Sequence, residues 1–105
     1  MNRKETILEK IKDAVSHTDP QTEIYLYGSR ARGNARKQSD WDILILLNTP
    51  KVNFELEKQF IDALYEIEKE TGEVISPMVY SKKEWNQKYS STSLYENISR
   101  EGMRI

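Results

Sequence analysis

Two short groups of residues carry side chains that could do chemistry together. The first is Gly28-Ser29, which follows the aromatic and branched stretch at residues 23–27. A glycine at the end of a strand lets the backbone approach a ligand with no Cβ in the way. A helix starting there offers free N–H groups and a partial positive charge, which favour phosphate, and Ser29 adds a hydroxyl donor. Taken alone, a Gly-Ser pair marks an ordinary strand-to-helix turn more often than a binding site. The second group is Asp40 and Asp42. In an extended chain, residues two apart share a face, with Cα atoms about 6.5 Å apart. Two carboxylates on one face repel each other and cost stability unless something neutralises them. Magnesium does so naturally, taking a few carboxylates and completing its shell with water and phosphate oxygens. An isolated Asp-x-Asp reads more simply as a turn cap at Asp40 and a solvated strand residue at Asp42. Together the two groups read differently. A phosphate cradle ends one strand and a carboxylate pair opens the next, eleven residues after Ser29. One ligand satisfies both, a nucleoside triphosphate with its metal.

The elements that must position these residues follow from periodicity. Residues 3–16 read as a helix with Ile7, Leu8, Ile11, Ala14 and Val15 at helical spacing, stopped by Asp19-Pro20. Residues 23–27 read as a strand and 29–35 as a short helix, ended at Gly33-Asn34 or soon after. Residues 41–47 form the strongest strand. Its apolar Leu44 and Leu46 share the face of the two aspartates, and Trp41, Ile43, Ile45 and Leu47 make the other. Residues 53–70 read as a long helix with Phe54, Phe60, Ile61, Leu64 and Ile67 on one face and Gly72 as its C-terminal cap. Residues 73–80 read as a third strand, and Pro77 argues for an edge position or a bulge. Helices follow at 82–89 and 92–101, with a short extension at the end. The expectation is a single α/β (α+β) domain over residues 1–105, a small mixed β-sheet covered by helices.

The stretch from Tyr27 to Leu47, YGSRARGNARKQSDWDILILL, resembles the signature of the polymerase beta-like nucleotidyltransferase superfamily. That signature is a Gly-Ser, a gap of about ten residues, then Asp-x-Asp followed by apolar residues. The wider pattern is similar to the minimal nucleotidyltransferases of prokaryotes, many encoded beside a HEPN-domain partner. The element order fits over nearly the whole chain, while the specific residues lie in 27–47. The resemblance implies that Asp40 and Asp42 hold magnesium, or alternatively manganese. It implies that Gly28 and Ser29 hold the β- and γ-phosphates of ATP, and that AMP passes to a hydroxyl. It further implies an antitoxin role, in which the acceptor is a tyrosine of a HEPN ribonuclease toxin in a hetero-oligomer. The family carries a third carboxylate on a later strand. Here Ser76-Pro77 stands about where it is expected, and Glu73 is the only acid in residues 73–80. Either Glu73 substitutes, or a partner supplies the group, or the enzyme is weakened or inactive and neutralises its toxin by binding alone.

Arg30, Arg32, Arg36 and Lys37 surround the turn and the loop beyond it, and Arg30 is the leading phosphate contact among them. His17 reads as a solvated surface residue. Tyr25 and Tyr27 read as packing residues, as do Trp85, Tyr89, Leu94, Tyr95 and Ile98 in the tail, some of which could instead form a protein interface. The net charge of −1 gives no strong field for nucleic acid, which argues against direct nucleic-acid binding. With no cysteine and one histidine, thiolate sites and multi-histidine zinc sites are excluded. No apolar run approaches the ~18 residues of a membrane span, and the charged N-terminus lacks a signal-peptide core, so a cytoplasmic location is expected.

Overall fold

The computed structural model describes residues 2–105. Helix α1 (Arg3–Thr18) starts at Asn2, whose side-chain oxygen accepts from the Glu5 N–H. Strand β1 (Glu23–Tyr27) leads into the single-turn helix α2 (Ser29–Arg32), and β2 (Trp41–Leu47) follows a loop. Helix α3 (Phe54–Thr71) is capped by the Asn53 side chain at its start and by Gly72 at its end. Strand β3 (Ile75–Ser81), helices α4 (Lys82–Lys88) and α5 (Ser93–Glu101), and the two-residue strand β4 (Met103–Arg104) complete the chain.

The four strands form one mixed sheet in the order β3-β2-β1-β4. The pairs β1–β2 and β1–β4 are antiparallel, while β2–β3, joined through α3, is parallel. The sheet is covered on both faces. On one, Trp41, Ile43, Ile45 and Leu47 pack with Ile7, Ile11 and Val15 of α1 and Phe60, Leu64 and Ile67 of α3. On the other, Leu44 and Leu46 pack with Trp85 of α4 and Ile98 of α5, bordered by Tyr25, Tyr27, Tyr80, Tyr89 and Tyr95. The alternation along β2 thus serves two cores, which is why that strand is apolar throughout beyond Asp42.

Several sequence expectations need adjustment. Helix α2 ends at Arg32, not near residue 35, because Gly33 takes a left-handed conformation (φ 80°) and donates its N–H to the Ser29 carbonyl. Strand β3 begins at Ile75, so Glu73 precedes the strand. Phe54 and Ile61 are not core residues: they are 75% and 40% exposed, because α3 is covered on one side only. Leu94 is also exposed. Pro77 does sit on an edge strand. The Trp41 N–H donates to the Val74 carbonyl, and the alternation of a parallel ladder then turns the Pro77 nitrogen outward, where no donor is required.

Candidate active site

At one end of the sheet the close of β1 meets the openings of β2 and β3. Asp42 pairs in register with Tyr27 on one side and with Ser76 on the other. Residues paired across strands share a face, so Tyr27, Asp42 and Ser76 stand in a row. Asp40 lies just ahead of β2 and is exposed, and its Oδ2 accepts a hydrogen bond from the Ser76 hydroxyl at 2.9 Å. A hydroxyl thus stands beside Asp42 in the register and bonds to Asp40.

The Gly-Ser turn closes onto the same spot. Gly28 has φ +74°, and a Cβ added there would lie 2.3 Å from the Asp42 Oδ2 and 3.2 Å from its Cγ. A side chain at position 28 would have to displace that carboxylate, and the positive φ itself favours glycine there. The Gly28 carbonyl accepts from the N–H groups of Ala31 and Arg32 at 3.1 and 3.0 Å, which starts α2 immediately. The first turn of a helix leaves its leading N–H groups without intrahelical acceptors, here beside two carboxylates.

Burial raises the pKa of Asp42, and the negative charge of Asp40 raises it further, while the Arg32 guanidinium opposes both. Arg32 is also paired with Glu101 of α5 at 3.0 Å. The Tyr27 phenol is pushed up to about 12 by burial, then by the charges of Asp42 and Tyr80. It therefore stays protonated at neutral pH.

These oxygens suit magnesium. The donor set is two carboxylates and a hydroxyl, all hard ligands, and one or two carboxylates with substrate phosphates is a usual magnesium arrangement. Among the described residues no cluster of three His, Cys, Asp or Glu side chains gathers, so a cage made entirely by the protein is not on offer.

The structure does not bring Glu73 or the Arg30 guanidinium to the aspartates. Glu73 accepts from Arg3 Nε at 3.0 Å and from the Trp41 indole N–H at 3.2 Å, and Trp41 belongs to the opposite face of β2. Arg30 lies 4.3 Å over the Trp41 ring and 3.9 Å from Glu73, and donates to the Ser39 carbonyl at 2.8 Å. It fastens the loop that leads into Asp40 and is not turned toward the Gly-Ser turn. Arg32 is the cation whose charge reaches Asp42. Sequence spacing missed this because a one-turn helix sends neighbouring arginines in different directions. The contact of Ser76 with Asp40 was open to inference only once β3 was aligned in parallel with β2.

The Gly28 contact leads to a direct test. In Gly28→Ala the positive φ alone costs about 1–2 kcal/mol, and the new methyl must displace the Asp42 carboxylate. The melting temperature is expected to fall by roughly 10 °C. The thermal response to ATP with magnesium should fall with it. A variant that melts and responds like the native protein would show that the turn and the carboxylate are not in contact.

A Gly-Ser turn pressed against a carboxylate pair, on a mixed sheet between two helical layers, is the arrangement of a nucleotidyltransferase-type domain. The chain belongs to the nucleotidyltransferase domain family, whose description matches residues 8–101. It is similar in structure to a toxin–antitoxin complex solved with AMP-PNP, at 17% identity and a TM-score of 0.62, over 98% of this chain and 72% of that one. It is similar also to two toxin–antitoxin MntA-HpeT variants. One carries a Tyr-to-Ala change (17% identity, TM-score 0.60, 100% of this chain and 72% of that one). The other carries two Asp-to-Glu changes (15%, 0.61, 98% and 72%). At these identities the likeness concerns the fold. No curated protein sequence matches the chain. Among the described residues no helix is long and apolar enough to cross a membrane.

Proposed function

We propose that this domain transfers AMP from ATP to a hydroxyl of a protein acceptor, a tyrosine of a HEPN-domain toxin, and so acts as an antitoxin within a hetero-oligomer. The observation that carries the reading is the contact of Gly28 with Asp42: a side chain at position 28 would fall on the Asp42 carboxylate. The two halves of the motif therefore form one place, and a triphosphate held at the turn meets the carboxylate pair. The structural neighbours, described as toxin–antitoxin complexes and in one case solved with AMP-PNP, support a toxin partner and an adenine nucleotide.

In this reading Asp40 and Asp42 would hold magnesium, and manganese is the alternative. Magnesium bound there would neutralise phosphate charge and polarise the α-phosphorus. Gly28 and Ser29 orient the β- and γ-phosphates. Arg32 keeps a positive charge beside Asp42. The acceptor oxygen forms a bond to the α-phosphorus, the bond to pyrophosphate breaks, and the hydroxyl proton leaves to solvent. Ser76 cannot act as a strong base, so the acceptor must ionise readily. A phenol, with a pKa of about 10, does so far more readily than an aliphatic alcohol, which favours tyrosine over ribose or serine. A cytoplasmic setting supplies both ATP and magnesium.

The hydroxyl of Ser76 beside Asp40 favours a second reading, in which turnover is lost and the domain silences its partner by contact alone. Incubation of the pure protein with labelled ATP, magnesium and the product of the neighbouring gene separates the two. A partner heavier by one or more AMP units is expected. A stable complex of unchanged mass would establish the binding module, and two proteins that elute separately and unmodified would end both readings.

A further inference from the structure

On the far side of Asp40 lies a cleft of about 600 Å³ that the transfer chemistry does not use. The start of α1, the turn between α3 and β3, and the loop leading into Asp40 wall it. Its charged lining is Arg3, Lys4, Arg30 and Lys37 against the single carboxylate of Glu73, a net of three positive charges on a chain whose total is −1. Glu73 sits between Arg3 and Arg30 and spaces them, with Trp41 as the floor. Lys4 and Lys37 make no ion pair among the described residues. Cations from separate segments thus converge on one opening, and Ser39 and Trp41 join that opening to Asp40, which lies between them in the chain.

We propose that this cleft docks an acidic segment of the polypeptide that carries the acceptor hydroxyl. The proposal rests on the transfer reading above and adds the feature by which the acceptor is chosen. Charge complementarity identifies the occupant as anionic, and the lining separates an acidic peptide from a nucleic acid. Binding of single-stranded nucleic acid relies on aromatic faces for base stacking. Trp41, the one aromatic in the cleft, is 1% exposed and covered by Arg30. Backbone-only binding to a duplex relies on neutralising many phosphates, and this cleft has three net charges. A peptide with a few consecutive carboxylates matches the number of charges, and Val74, exposed at the rim, offers an apolar contact beside them. Such a segment lying in the cleft leads its neighbouring residues over Ser39 toward Asp40.

The test uses Lys4→Glu with Gln38→Glu. Both residues line the cleft, neither holds Glu73, and together they take its net charge from plus three to zero. A labelled oligoglutamate peptide and an oligothymidylate of equal charge serve as probes at low salt. The native protein should bind oligoglutamate the more tightly, with amide shifts in its NMR spectrum centred on Lys4, Gln38 and Val74. The double variant should bind it on the order of tenfold or more weakly. Equal binding of both probes, unchanged binding by the variant, or shifts centred elsewhere would overturn the proposal. The melting response to ATP with magnesium is measured on both proteins. Its absence from both would count against the transfer reading and not against the cleft, so the two failures are distinguishable.

Discussion

Replacing Asp40 and Asp42 together by asparagine should abolish the rise in melting temperature that ATP and magnesium give the native protein. A ligand that binds only the folded state stabilises it by about 2.7 kcal/mol at one hundred times its dissociation constant. For a domain near this size that is roughly 10 °C. Asparagine keeps the shape and removes the charge that would hold the cation. The metal-free double variant should melt no lower than the native protein, because two neighbouring carboxylates oppose folding unless neutralised. The pH dependence separates this from a general loss of structure. Burial, and then Asp40, raise the pKa of Asp42 above its unfolded value. Between the two values the folded chain binds the more proton, so metal-free native stability falls as pH rises through that window. Below the window the effect vanishes, and in the variant that slope should disappear. A double variant that still responds fully to ATP with magnesium would remove the site assignment.

Ser76→Asp is the opposite experiment and should have the larger effect on rate. The new carboxylate would stand beside Asp42 in the register, where the Ser76 hydroxyl now meets Asp40 at 2.9 Å. Three crowded carboxylates should lower the metal-free melting temperature and make it strongly magnesium-dependent. With metal and acceptor present, a positioned base contributes about 10²–10⁴-fold. Transfer, measured as AMP added to the acceptor per unit time, should therefore rise by about a hundredfold or more. Ser76→Ala is the control. It removes the hydroxyl without adding charge and should leave nucleotide binding close to native. If Ser76→Asp binds magnesium no better and transfers no faster, the third-carboxylate position lies elsewhere.

Much of this architecture was legible in the residues. Strand β2 was readable to the residue because Trp41 and the five apolar residues after Asp42 alternate between two cores. Gly72 bounded the end of α3 closely, while Asn53, read as its first residue, is its N-terminal cap. Periodicity cannot say how much of a helix face its neighbours reach, so Phe54 and Ile61 were assigned to a core that extends only as far as Phe60, Leu64 and Ile67. For the site, types and spacing grouped the Gly-Ser turn with the aspartate pair, and the structure adds the direct approach of Gly28 to Asp42. The directions of long side chains did not follow from spacing. Arg30 lies inside the motif and Glu73 beyond α3, yet the two meet at Trp41 on the other face. Their partner Arg3 is 70 residues from Glu73 along the chain, a distance no local pattern spans.

The margins of the sheet limit how this protein can meet another. One margin is β3, where Pro77 denies an incoming strand a donor, and the other is β4, only two residues long. Both discourage edge-to-edge growth of the kind that seeds aggregation. They also make the margins poor places for a partner to add its backbone as a further strand. Side chains on the helices and loops are then the surface through which this chain is more readily recognised. That kind of surface can be rewritten one substitution at a time without disturbing the fold, so a matched pair of proteins could drift together into exclusive partnership.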